Sequence, residues 1–227
     1  MSTNYSPDPT ATFLWILDSY NESERSWLFT FPNELRKSYL VVPSFPSNIK
    51  LPCTGFIYGE LYIISNYVES MFKINNECNL EMLNMAPPFP TDVEKSHECG
   101  TDSANNFIWA ANYGVIVRFD GNLWTEVSSR GSQLHSTGLE IYQAFPLVIG
   151  GASSESVVQS TVEYFVYGDR NKWRPKASLP KGIKSISSIN IENSVFTAGG
   201  LTYENGVSVR VGEIFSFNGD DWALAGK

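Results

Sequence analysis

The sequence has few residues of the kinds that carry acid–base and metal chemistry. Histidine occurs twice, as His97 and His135, and neither lies in an HxH or HExxH spacing. Each is expected to be a surface loop histidine rather than a metal ligand or a catalytic base. The chain also has no Gly-rich phosphate loop and no G-x-S-x-G elbow. These absences favour a protein that is not an enzyme and that has no metal and no cofactor.

Cysteine is scarce as well. Cys53, Cys78 and Cys99 cannot all pair within one chain, and their spacing matches neither CxxC nor a Cys/His zinc pattern. Free buried thiols are expected. A Cys78–Cys99 bridge is the alternative for an extracellular protein, a compartment that the N-x-S/T sequons at Asn4 and Asn21 would also suit.

The sequence has no long apolar run and has fewer basic than acidic residues. No stretch approaches the roughly 20 apolar residues of a membrane span, and the N-terminus lacks the basic-then-apolar order of a secretory signal. The 24 acidic and 16 basic residues give a net charge of -8, which repels phosphate backbones and anionic lipid. We expect no nucleic-acid partner, no membrane insertion and a cytoplasmic location, or secretion if an upstream signal peptide is missing.

A repeat is the main positive signal in the sequence. Trp124, Trp173 and Trp222 are each 49 residues apart, and the glycine pairs that end at Gly151 and Gly200 share that offset. Toward the N-terminus, Leu80 and Tyr39 take the place of the tryptophan, at spacings of 44 and 41 residues. The pattern divides the chain into a flexible segment, 1–10, and five units: 11–46, 47–90, 91–131, 132–180 and 181–227.

The units predict an all-β fold. Each contains short segments of about five residues that are bounded by turn residues and show partial period-two alternation. Four such strands per repeat are typical of a β-propeller blade, whereas helical repeats need amphipathic stretches that the units with tryptophan lack. We therefore predict about five four-stranded blades. Two alternatives stay open: a five-bladed ring with an imperfect first blade, or an incomplete part of a larger propeller.

The repeat resembles the kelch repeat. An apolar strand closed by a glycine pair, an aromatic residue in the next strand and a tryptophan a few residues later make residues 147–180 a close match. The resemblance implies a kelch-like propeller in which the glycines allow a tight turn and the aromatic residues pack between blades. The structural residues it assigns are Gly150, Gly151, Gly199, Gly200, Tyr39, Trp124, Trp173 and Trp222. The first three units depart from the pattern at the glycine pair.

Loops on one face of the propeller are the predicted binding site. Two long loops follow second strands, at 152–161 and 201–210, and two crossings join consecutive units, at 128–135 and 177–184. The candidate contacts within them are Arg130, His135, Glu155, Lys184, Tyr203 and Glu204. The predicted function is a protein–protein interaction module. The alternatives are a kelch-like enzyme acting on a small carbohydrate, as an oxidase or a sialic acid epimerase, and an extracellular structural or adhesion module.

Overall fold

All regular elements in the described part of the chain are β-strands. The computed structural model describes residues 12–17, 26–31, 38–41, 53–64, 71–74, 80–89, 98–102, 104–129, 133–154, 156–166 and 172–227. The strands form four four-stranded sheets, one three-stranded sheet and two two-stranded hairpins. The predicted all-β class is therefore confirmed. The predicted flexible segment, 1–10, lies outside the described residues.

The sheets follow one another along the chain, and we number them I to V. Sheet I contains β1–β3, which span Thr12–Leu17, Ser26–Phe31 and Ser38–Val41. Sheet II contains β4–β7, which span Cys53–Ile57, Glu60–Ile64, Met71–Ile74 and Leu80–Leu83. Sheet III contains β8–β11, which span Glu98–Asp102, Phe107–Asn112, Val115–Phe119 and Trp124–Ser129.

Sheets IV and V each carry an inserted hairpin. In sheet IV the strands β12, β13, β16 and β17 span Gly138–Tyr142, Phe145–Ile149, Val162–Val166 and Lys172–Lys176, and the hairpin β14–β15 spans Ala152–Ser154 and Val157–Val158. In sheet V the strands β18, β19, β22 and β23 span Ser187–Ile191, Ser194–Ala198, Ile214–Phe217 and Trp222–Gly226, and the hairpin β20–β21 spans Leu201–Glu204 and Val207–Arg210. In both sheets the hairpin follows the second strand.

Neighbouring sheets stack through their first strands. Strands β4, β8, β12 and β18 contact one another in chain order. A separate cluster of buried apolar side chains fills each junction: around Ile108 between sheets II and III, around Ile141 between III and IV, and around Ile183 between IV and V. Since each sheet between two others buries both faces, the core is divided among the junctions rather than gathered at one centre.

Side-chain hydrogen bonds also join the first strands. The Phe56 amide donates to Thr101 Oγ1 over 3.2 Å, and Asn190 Nδ2 donates to the Ile141 carbonyl over 2.6 Å. Ser188 Oγ donates to the Leu139 carbonyl over 3.1 Å. These bonds satisfy main-chain groups of one sheet with side chains of the next, and so they fix how far the two sheets are shifted along each other.

A disulfide joins sheets II and III. Cys53 in β4 and Cys99 in β8 are bonded through sulfur, with 5.5 Å between their Cα atoms. The expectation of free thiols is wrong for this pair because stacking places the two first strands side by side. Cys78, the predicted alternative partner of Cys99, lies outside the described residues, and so do Asn4, Asn21 and His97.

The three periodic tryptophans occupy equivalent places. Each lies at the start of the fourth strand of its sheet, as the first residue in two cases and as the second for Trp173, and packs on a fully buried phenylalanine of the third strand. The ring centroids are 5.1 Å apart for Phe119 and Trp124, 5.3 Å for Phe165 and Trp173, and 5.1 Å for Phe217 and Trp222. The 49-residue period of the sequence therefore corresponds to one packing contact that recurs in each of the three sheets. Tyr39, the predicted equivalent in the first unit, lies in β3.

Candidate functional site

The glycine pairs redirect the chain from the second strand into the hairpin. Gly150 and Gly151 have φ values of 60° and 103°, and Gly199 and Gly200 have 71° and 88°. A Cβ at Gly150 would collide with the Ile183 carbonyl oxygen, and one at Gly200 would lie 2.6 Å from the carbonyl oxygen of Lys184. Left-handed backbone and close main-chain approach together require glycine there.

The crossing that enters each sheet is clamped to the base of that sheet's hairpin. His135 and Ala152 exchange two backbone hydrogen bonds of 3.0 and 2.9 Å. Lys184 and Leu201 do the same, with two bonds of 2.9 Å. The amide of Ser185 also donates to a carbonyl of the preceding crossing, that of Ser136, over 2.7 Å. Two crossings and two hairpins therefore lie together at one end of sheets IV and V, which we call the loop end.

The predicted contact residues differ in accessibility at the loop end. Tyr203 is 37% exposed and Glu204 is exposed, both on β20. His135 and Lys184 are buried, with 6% and 8% exposed. Arg130 and Glu155 lie outside the described residues. The structure thus brings four candidates to one end of the molecule but leaves only two of them open to a partner.

The burial of His135 corrects the expectation of a surface loop histidine. Its ring stacks on Tyr113, with centroids 5.7 Å apart and an interplanar angle of 20°. Its Nδ1 lies 3.2 Å from Ser136 Oγ. Because Tyr113 belongs to the turn between β9 and β10, this contact joins the crossing to the preceding sheet. His135 is part of the scaffold of the loop end.

Sequence reasoning missed the apolar side chains of the hairpins. Val157 is 47% exposed, and Val207 and Val209 are 58% and 36% exposed. Strand β15 contacts β20, so the two hairpins are neighbours. Val207 and Val209 share one face of the hairpin β20–β21, and Tyr203 lies on the other, since Val207 pairs with Glu204 and Tyr203 with Ser208. We call the three valines together with Tyr203 the loop-end surface. The signal that could have revealed it is a valine-rich segment directly after a glycine pair, where the chain has already left its sheet.

A cleft lies beside the hairpin of sheet IV. Its volume is about 470 Å³, and its lining includes Gln133, Gln159, Glu163 and Lys176. The ammonium group of Lys176 donates to the Gly219 carbonyl over 3.1 Å, which holds it against the main chain of sheet V. Glu163 is the one carboxylate among the described residues of the lining. A pair of acid–base carboxylates, which glycoside hydrolysis needs, is therefore not found among them.

Two carboxyl groups on the first strands have raised pKa values. Burial raises the pKa of Glu98 in β8 to about 7. Burial also raises the pKa of Glu140 in β12, against hydrogen bonds from the Ile141 and Asn190 amides that lower it. Within the described ranges, no three His, Cys, Asp or Glu side chains converge as metal ligands would. In the same ranges, no helix has the length and apolarity that crossing a membrane requires.

Comparison with known proteins identifies a similar fold but does not assign the chain to a family. No family model matches the chain. No curated protein matches it by sequence. Among solved structures, the chain is similar to that of YjhT, with a TM-score of 0.71 and 12% sequence identity over 98% of this chain and 85% of the YjhT chain. At such low identity the similarity demonstrates a shared fold.

Proposed function

We propose that the chain is a kelch-like β-propeller, with the stacked sheets as its blades, and that it is a protein–protein interaction module. The 49-residue period, the tryptophan that packs at one place in three sheets and the fold shared with YjhT support the propeller. A propeller presents loops on a rigid scaffold, which is the usual arrangement of a binding module.

The observation that carries the binding role is the loop-end surface. Val157, Tyr203, Val207 and Val209 are exposed on two adjacent hairpins. Exposed apolar side chains on neighbouring loops are typical of protein contact sites, and tyrosine is enriched among interface residues that contribute most to binding. A partner that contacts both faces of the hairpin β20–β21 would reach Tyr203 as well as the two valines. The backbone clamps at His135 and Lys184 hold the hairpins in place before a partner arrives, which lowers the entropic cost of binding.

Other ligand classes fit this end of the molecule less well. The net charge of -8 opposes binding to phosphate backbones. The cleft at Glu163 lacks a second carboxylate in its described lining, so a carbohydrate enzyme rests on analogy of fold alone. A protein partner that supplies apolar side chains suits the exposed valines.

The Cys53–Cys99 disulfide bears on the compartment. Such bonds persist in oxidising compartments and are rare in the cytosol. Between the two locations that the sequence allows, the disulfide supports secretion, and we propose that location in place of the cytoplasm. Counting thiols in the denatured protein before and after reduction tests it: one thiol of three is expected before reduction, and three would refute the proposal.

Site-specific photocrosslinking tests the binding role. A photoreactive amino acid replaces Tyr203 in the full chain, which is expressed in the cells that produce it, and both the cells and their medium are irradiated. The control replaces Leu123, which is 54% exposed in the turn after β10. Tyr113, which contacts the loop end, lies in the turn that precedes β10. Leu123 lies in the turn that follows β10, and therefore at the end of sheet III that is far from the loop end.

The expected result is a covalent adduct with one other protein at position 203 and none at 123. Replacing Val207 by serine should then weaken binding of the identified partner by about tenfold or more. Adducts at both positions, or at neither, would overturn the proposed binding role.

A further inference from the structure

The dipeptide Asn-Gly occurs twice in the chain, at Asn205–Gly206 and at Asn218–Gly219. An asparagine that precedes glycine is open to attack by its own main chain, because glycine has no Cβ to keep its amide nitrogen away from the asparagine Cγ. Attack at that carbon converts the asparagine into an acidic residue. Since the two sites share this chemistry, a difference in their reactivity must come from the structure around them.

Asn205 lies at the tip of the hairpin β20–β21. Asn205 and Gly206 are exposed, and their positive φ values of 51° and 82° form a two-residue turn between the paired residues Glu204 and Val207. The flanking residues of such a turn exchange the last hydrogen bonds of the ladder, so the Gly206 amide lies outside it. Among the described residues, none hydrogen-bonds to the Asn205 side chain, and none beyond its chain neighbours lies within 4 Å of a Cβ built on Gly206.

The side chain of Asn218 is held in place. Asn218 lies in the turn between β22 and β23 and is exposed, like Asn205. Its Oδ1 accepts hydrogen bonds from the amides of Asp220 and Asp221 over 3.0 and 3.1 Å. Exposure to water is therefore common to the two asparagines, whereas restraint of the side chain is not.

Sheet IV also holds the main chain of that turn. The Tyr142 hydroxyl donates to the Asn218 carbonyl over 3.3 Å, and the Lys176 ammonium group donates to the Gly219 carbonyl over 3.1 Å. A Cβ at Gly219 would collide with the Tyr142 hydroxyl, so this turn packs directly on its neighbour. Both peptide units around the Asn218–Gly219 bond are thus tied to another sheet.

Attack by the main chain requires movement of exactly these groups. The asparagine side chain must turn until its Cγ meets the amide nitrogen of the following glycine, and the peptide unit between them must tilt. At position 218 this breaks two hydrogen bonds to Oδ1 and moves a peptide unit that is bonded to sheet IV. At position 205 no described residue opposes either movement.

We propose that Asn205 deamidates spontaneously in the folded protein and that the fold protects Asn218 from the same reaction. The Gly206 amide nitrogen attacks Asn205 Cγ and forms a carbon–nitrogen bond. The side-chain nitrogen leaves as ammonia and takes the proton of the Gly206 amide. Water then opens the cyclic imide at either of its carbonyl groups and leaves aspartate or isoaspartate at position 205. Water is the co-reactant, and nothing is oxidised or reduced.

Either product changes the loop-end surface. A carboxylate replaces a neutral amide in the turn that joins Glu204 to Val207, so negative charge is added beside that surface. Isoaspartate also adds a methylene group to the main chain, which changes the loop length that fixes the register of a hairpin. The proposal does not rest on partner binding, since the reaction needs only the turn and water.

Incubation of the purified full chain in water labelled with heavy oxygen tests the proposal. Deamidation in mildly alkaline buffer then places a heavy oxygen atom in the new carboxyl group. Peptide mapping by mass spectrometry distinguishes that product from deamidation during digestion in ordinary water. Asn218 is the matched control within the same molecule. Asn205 should react about tenfold faster or more, because two hydrogen bonds to Asn218 Oδ1 must break first at the control site.

A second incubation, in urea, separates the effect of the fold from that of the sequence. In the unfolded chain the two asparagines should react at comparable rates, since both precede glycine. In the folded chain, Asn205→Gln should abolish the product at the hairpin and leave position 218 unchanged, because the longer side chain closes a larger ring more slowly. An unmodified Asn205 in the folded chain, equal folded-state rates at the two positions, or a difference that persists in urea would overturn the proposal.

Discussion

Replacing Glu98 by glutamine should remove a pH dependence of stability that the fold imposes. The pKa of this carboxyl is about 7 in the folded chain because burial disfavours its charged form, against an ordinary value of 4.5. A folded state that holds a proton more tightly than the unfolded state loses stability as pH rises. Glu98 therefore contributes its full stability below pH 4.5 and loses it as pH rises through about 7. The interval between the two pKa values corresponds to about 3 kcal/mol.

Urea denaturation followed by tryptophan fluorescence, repeated from about pH 4 to about pH 8, measures the effect. At the acid end the wild type and Glu98→Gln should have equal free energies of unfolding, because a protonated carboxyl and an amide are both neutral. At the alkaline end the variant should be more stable by about 3 kcal/mol. Glu126→Gln, at an exposed position on β11, is the control and should change stability by less than about 0.5 kcal/mol throughout. A difference between Glu98→Gln and wild type that stays constant with pH would refute the reasoning.

Three further predictions concern packing. Gly55→Ala should lower the free energy of unfolding by about 1–3 kcal/mol, because the new methyl group would meet Ile108 at 2.5 Å; chemical denaturation measures it. Trp222→Phe should lower the free energy of unfolding by about 1 kcal/mol more than Trp124→Phe does. The reason is that Trp222 Nε1 donates to the Ala177 carbonyl over 2.9 Å, while the buried Nε1 of Trp124 has no acceptor among the described residues. Thermal melts of the two variants measure the difference. Replacing Cys53 and Cys99 together by serine should lower the free energy of unfolding by up to about 4 kcal/mol, because the disulfide closes a loop over a sequence separation of 46. Chemical denaturation of the oxidised wild type and of the variant measures the difference.

Each of these predictions has a matched outcome that would contradict it. Gly212→Ala, where an added Cβ meets no atom of the described residues within 4 Å, should be tolerated, and equal losses of stability for Gly55→Ala and Gly212→Ala would exclude the clash. Equal costs for the two tryptophan variants would mean that the indole hydrogen bond contributes nothing. If reduction of the wild type did not lower its stability to that of the double serine variant, the disulfide would not be the source of the difference.

The sequence predicted best those features that repeat along the chain. The all-β class and the four-stranded antiparallel sheets follow from short strands and turn residues, which are local signals. The tryptophan spacing is also a local signal, because Trp124 and Trp173 pack within their own sheets, each on a phenylalanine of the adjacent strand.

Features that depend on two neighbouring sheets were not predictable in this way. The Cys53–Cys99 bond and the stacking of His135 on Tyr113 both arise between sheets, and no spacing within one repeat specifies them. The valines at 207 and 209 were missed for another reason. Hydrophobic residues at alternate positions predict a strand with a buried side, but β21 is exposed along its whole length because it pairs only with β20 in a hairpin.

The clamp between Lys184 and Leu201 separates the hairpin β20–β21 from the sheet that carries it. The hairpin ends in a turn at Asn205 and Gly206, with φ values of 51° and 82°, and no described residue lies within 4 Å of a Cβ built on that glycine. Residues beyond the clamp can therefore change in length or sequence while the strands of sheet V keep their hydrogen bonds. The tip of the hairpin can therefore vary in sequence among related proteins, and a foreign peptide can be grafted there, without changes to the sheet that carries it.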